Sequence, residues 1–289
     1  MEKIKKNVSN IKIKDPGSAI THFIAMLMAL FAATPLIIKA LSAPDTIHVI
    51  SLSIFIGTMI LLYAASTTYH TVNATPGINK ILKKLDHCMI SVMIAGSYTP
   101  VCLVVLHNKT GYALLALVWG IAIVGIIFKL CWVTCPKWVS SVLYIVMGWA
   151  CVLSFTQIIN ALPTAAFAWL LAGGIIYTIG GVIYALKLKV FNASHKYFGS
   201  HEIFHLFVMA GSICHFIMMF NYKSHTFKEI LRVYVSSLLE AIRIFLICLI
   251  TVSGLSITSS FLKRITLYPK SDSLSVRSRS FRICSAAKW

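Results

Sequence analysis

The chain has 289 residues, 58% of them hydrophobic and only 12% charged, with a formal net charge of +18. Soluble domains carry about 25% charged residues, whereas several runs of about twenty residues here hold almost no charge, enough to cross about 30 Å of hydrocarbon. A soluble globular protein is excluded. Because Lys and Arg gather in short loops and the two tails, the positive charge speaks for membrane topology and anionic headgroups, not for nucleic acid.

The expected architecture is an all-α polytopic membrane protein, a seven-transmembrane helix bundle. A basic segment, 1–17, comes first, with Lys3, Lys5, Lys6, Lys12 and Lys14. The seven-span core, 18–222, has spans at about 18–41, 46–69, 86–106, 111–130, 138–160, 165–187 and 200–222. The first apolar run is too long for a cleaved leader, and no small-residue cleavage site follows it. Within the extension 223–289, residues 241–262 make a candidate eighth span, and the basic, Ser-rich end reads as a disordered tail.

Loop charge sets the orientation. Lys80, Lys83 and Lys84 follow span two, Lys129 and Lys137 flank the loop after span four, and Lys187, Lys189 and Lys196 follow span six. The intervening loops hold Lys39 and Lys109. This alternation places the N-terminus in the cytoplasm. An eighth span would return the basic tail to that side.

Other motifs read as structure. "AGSYTP" at 95–100 is a helix interruption at Pro100. "LAGGIIYTIGGVIYALK" suits tight packing of span six beside span seven. Trp119, Trp138, Trp149 and Trp169 are scattered near span ends or mid-span, and most read as interfacial anchors or lipid-facing packing. Cysteines in apolar runs act as small hydrophobes, and "CWVTC" lacks the partner pair a zinc site needs.

The chemistry lies in the ionisable residues inside the spans. Of eight acids, Asp86 and Glu202 begin clearly apolar runs, and intramembrane ionisable groups are functional candidates. The orientation brings "ASTTYH" (Ser66, His70), "KKLDHCMI" (Asp86, His87) and "GSHEIFH" (His201, Glu202, His205) to one face of the membrane. His201 and His205, four apart, share a helix face, as do Ser66 and His70. Three imidazoles with an open fourth position make a catalytic-type Zn²⁺ site, where Asp86 can orient a bound water. Singly, His22, His87, His195 and His215 read as hydrogen-bonded interfacial histidines. HEIFH also matches the zinc-protease signature. A protease, however, needs a third ligand, commonly in an "LDG" setting, and this chain has "LDH" at 85–87, upstream.

At these residues the sequence resembles the haemolysin III family, the bacterial branch of the progestin and adiponectin-Q receptor (PAQR) proteins. The resemblance covers about residues 15–222 and is carried by "ASTTYH", "KLDHCMISVMIAGSYTP" and "HEIFHLFVMAGSICHFI". It implies a multi-pass protein of the plasma membrane, the inner membrane in a bacterium, with zinc near the cytoplasmic face. The implied ligands are His70, His201 and His205, with Asp86 holding the water at the metal. Ser66 matches a serine that the wider superfamily, alkaline ceramidases included, places to stabilise an oxyanion or orient that water. Glu202 is an accessory of the bacterial-type motif, since related receptors often carry Gln there. His215, ten residues past His205, lies about 15 Å deeper, too far for the same ion. The chain departs from the family pattern in two places. Only Asp15, with His22, stands where bacterial members usually carry several acids, and residues 223–289 have no recognised counterpart.

The expected function is metal-dependent hydrolysis of a lipid amide or ester that enters from the bilayer, with membrane lipid as substrate or ligand. A non-enzymatic membrane-state sensor with structural zinc is the alternative, and a membrane-permeabilising, haemolysin-like protein the third. A homo-oligomer stays open.

Overall fold

A computed structural model describes residues 13–43, 45–186 and 199–221. These form seven helices long and apolar enough to cross a membrane, with no strand among the described residues. They are α1 (Pro16–Leu41), α2 (Thr46–Thr71), α3 (Pro76–Leu106), α4 (Lys109–Cys131), α5 (Lys137–Ala161), α6 (Thr164–Leu186) and α7 (Ser200–Asn221). The extension 223–289, with its candidate eighth span at 241–262 and its tail, lies outside the described residues.

Each helix packs on its neighbour in sequence, and α7 returns to α1, closing the bundle. Side chains such as Leu36, Phe55, Val118, Met147 and Met218 are fully buried between helices. Phe31, Val124, Leu153 and other large apolar side chains face outward, as a bilayer requires of surfaces that water would penalise. The span α3 is the most buried and forms one wall of the interior.

The helix α3 begins ten residues before its apolar run, so Lys80, Lys83 and Lys84 stand on the helix and not in a loop. The cause is local: Thr75 caps the Ile78 N–H with its side chain, and Pro76 occupies the first helical turn, where its missing N–H costs nothing. At the other end the helix passes Pro100 and continues as a π-helix over Val101–Leu106. The break expected at "AGSYTP" is thus a change of winding, closed by His107 in the left-handed region at φ 41°.

The helix α5 is also interrupted, tightening to a 3-10 helix over Trp149–Ser154. Tyr98 on α3 satisfies the freed backbone: its hydroxyl donates to the Gly148 carbonyl at 2.5 Å and accepts from the Cys151 N–H at 3.0 Å. Two of the tryptophans expected at the lipid face turn inward instead. The indole N–H of Trp119 donates to Thr99 and that of Trp149 to Thr178, which tie α4 to α3 and α5 to α6. An N–H in hydrocarbon needs such a partner. Trp138 remains outward, 61% exposed.

Small residues on both helices, Gly180 of α6 and Gly211 of α7, let the two approach closely, as the sequence suggested for span six. A Cβ at Gly180 would lie 2.6 Å from the Phe207 Cβ, and one at Gly211 would lie 2.8 Å from the Tyr177 ring. This contact brings the start of α7 against the other helices at the end of the bundle where α1 begins.

Candidate metal centre

The backbone before α1 is fastened to the end of α2, with the Asp15 N–H donating to the His70 carbonyl at 2.9 Å. The first turn of α1, the last turn of α2 and the first turns of α7 therefore meet. His70 projects from α2, and His201 and His205, one turn apart, project from α7. One ligand atom from each of the three lies within 4.8 Å of the others. His70 is 3% exposed and His205 2%.

The outer nitrogens of His70 and His205 are already engaged, and this fixes which of their atoms face inward. His70 Nδ1 lies 3.0 Å from an Asp15 carboxylate oxygen, and His205 Nδ1 lies 3.2 Å from the Thr21 hydroxyl. Their Nε2 atoms are left for the centre. His70 Nε2 and His201 Nε2 stand 3.2 Å apart. A carboxylate accepting from the Nδ1–H of His70 selects the tautomer with a bare Nε2. Two imidazole lone pairs at such a distance need a proton or a cation between them. Three imidazoles, two of them buried and held by their outer nitrogens, fit a zinc ion in donor type and number.

Helix α1 supplies a support that sequence reasoning missed. Asp15 reaches His70, and Ser18 donates to the Glu202 carboxylate at 2.5 Å. Thr21 meets His205, and the His22 ring stacks on the His205 ring at 3.6 Å and 9°. Positions 15, 18 and 21–22 fall on one helix face. The signal was a polar stripe of helical period at the head of an apolar span. His22 is not the interfacial histidine expected of it, since it is 3% exposed and lies against the cluster. Supports of this kind typically set metal affinity by 10- to 100-fold. Asp15→Asn is therefore expected to weaken metal binding by about that factor with the fold intact, as checked by competition with a calibrated zinc chelator.

The remaining predicted residues separate by position. Glu202 is spent on the start of α7, accepting from Ser18 and from the Gly199 N–H at 2.8 Å, and stands outside the three-histidine group. Asp86, 7% exposed on α3, lies 3.3 Å from His87 Nδ1. It lines an interior cavity together with Ser66, His201 and His205. The cavity volume is about 140 Å³. Ser66 is 1% exposed, and its hydroxyl has no protein partner among the described residues. His215 lines the same cavity but stands outside the ligand group. Lys129, expected beside a loop, is instead fully buried in the last turn of α4, where it donates to Ser140 and to Cys135.

The fold agrees with what comparison shows. The family model for "Haemolysin-III related" proteins matches residues 11–216. Hemolysin-3 of Bacillus cereus is 34% identical over 221 residues, covering 76% of this chain and 96% of that protein. A Hemolysin-3 homolog of Bacillus subtilis (strain 168) is 35% identical over 206 residues, covering 71% and 92%. More distantly, an adiponectin receptor protein of Drosophila melanogaster is 27% identical over 191 residues, covering 56% of this chain and 40% of the receptor. The chain is a multi-pass integral membrane protein that belongs to the haemolysin-III related family, itself kin to the PAQR receptors.

Proposed function

We propose that the protein is a zinc-dependent hydrolase of a lipid amide or ester, working at the cytoplasmic side of the membrane on a substrate that enters from the bilayer. The observation that carries this reading is the shared cavity: two of the three clustered histidines, a buried carboxylate and a buried serine line one interior space with mostly apolar walls. Zinc held by His70, His201 and His205 would supply Lewis-acid polarisation and bring the pKa of water down towards about 7.

The chain's own groups have separate tasks. Asp86 takes the proton from the attacking water as general base, with the His87 ring 3.3 Å from its carboxylate. Ser66 directs its free hydroxyl at the carbonyl oxygen or at the water. Asp15 and Thr21 hold the His70 and His205 rings in position. Apolar side chains such as Ile90, Ile94 and Val208 accept the acyl chain and exclude bulk water.

A second reading is a membrane-state sensor in which the metal is structural. It is favoured by the tie the cluster makes between α2 and α7, with α1 braced against both. Lipid mass spectrometry on cells that lack or express the protein separates the two. The hydrolase reading expects one amide or ester class to fall while its fatty acid rises. An unchanged lipid profile in cells that express the protein would leave the sensor.

A further inference from the structure

We infer that His22 is a substrate-contact residue whose ring hydrogen-bonds the polar head of the lipid in the cavity; this rests on the lipid reading above and deepens it. His22 is 3% exposed, and neither Nδ1 nor Nε2 has a hydrogen-bond partner among the described residues. Its ring plane is set by the parallel stack on His205 at 3.6 Å and by an edge contact with Tyr63 at 5.1 Å. The ring lines the cavity that Ser66 and Asp86 also line.

A neutral imidazole carries one N–H donor and one bare acceptor. Burying both without partners is costly, and native structures rarely tolerate it. The ring is therefore oriented for something that occupies the cavity. Its place beside His205 puts that something at the head of the chain, next to the reacting carbonyl, and not along the apolar walls. An acyl amide or ester offers the carbonyl acceptor that the ring N–H requires, and an amide adds a donor for the bare nitrogen. A plain hydrocarbon offers neither. Ser66, with its own unpaired hydroxyl, lines the same space, so the head group has two protein contacts besides the metal site.

The test is a binding cycle on the full chain in detergent, with N-ethyl oleamide as the headed probe and 9-octadecene as the headless one. Wild type is expected to bind the amide at least about tenfold more tightly than the alkene. In His22→Phe, which keeps an aromatic ring against His205, that advantage is expected to fall to about threefold or less. His22→Gln, which keeps a donor and an acceptor, is expected to restore part of it. A loss caused only by disturbed packing would not be restored. Each variant is compared after it matches the wild type in gel filtration and melting, and His22→Met replaces the Phe variant if that one does not. An amide advantage that survives undiminished without the imidazole overturns the assignment of His22 and leaves the lipid reading standing. If neither probe binds the wild type, the lipid reading falls, and the contact with it.

Discussion

Asp86→Asn is expected to abolish lipid hydrolysis, with a loss of at least about 100-fold, while the metal content stays at the wild-type level. The two halves of this expectation have separate causes. Asparagine has the size and burial preference of the acid but cannot take a proton, and a positioned general base typically contributes 10²- to 10⁴-fold. Asp86 lies outside the group of three histidines that can share an ion, and its close neighbour is His87, so the ligands lose nothing. The check is an initial-rate assay on a long-chain amide and its ester, with elemental analysis of the same samples. A variant that keeps its rate contradicts the mechanism. One that loses both rate and metal would move Asp86 into the ligand set.

Removing the metal is expected to lower the melting temperature markedly. The ligands come from α2 and α7, which lie far apart in sequence, and α1 is braced on them through Asp15 and Thr21. Without an ion, the facing nitrogens of His70 and His201, 3.2 Å apart, are left with a single shared proton, and His205 is left without a common partner. A ligand present at a thousand times its Kd stabilises by about 4 kcal/mol, which for a chain of this size corresponds to a shift on the order of 10 °C. Melting in detergent, before and after stripping with a strong chelator, checks this, and re-addition of zinc should restore the higher value. Asp86→Asn should melt like the wild type when loaded. An identical melt with and without metal would contradict the bracing role.

The histidines of the cluster were legible in the sequence because His201 and His205 sit at helical spacing on one apolar span, and because the alternating loop lysines put the end of span two, with His70, at the same face as the start of span seven. The bundle was legible for the same reason. The support from α1 was not. Asp15 immediately precedes, and His22 belongs to, a helix whose rotation about its own axis is set by packing against α2 and α7, and apolar composition says nothing of rotation. The early start of α3 was hidden because its first turns carry Lys80, Lys83 and Lys84, which break the hydropathy pattern but not the helix that Thr75 and Pro76 begin. Trp119 and Trp149 were misplaced for a related reason: a buried indole needs one hydroxyl acceptor, and Thr99 and Thr178 are on other helices. Lys129 shows the same limit, since Ser140 and Cys135, which receive its ammonium, follow it across the next loop.

The most direct test is elemental mass spectrometry on the detergent-purified protein, wild type beside His205→Ala. His205 is the ligand that is least exposed, and it is held by Thr21 and stacked on His22, so its truncation removes a buried, oriented ligand atom from the group of three. The account predicts about one zinc per chain in the wild type and almost none in the variant, as expected for a site with three protein ligands. A folded wild type that holds no metal, or a His205→Ala protein that holds as much as the wild type, would contradict it.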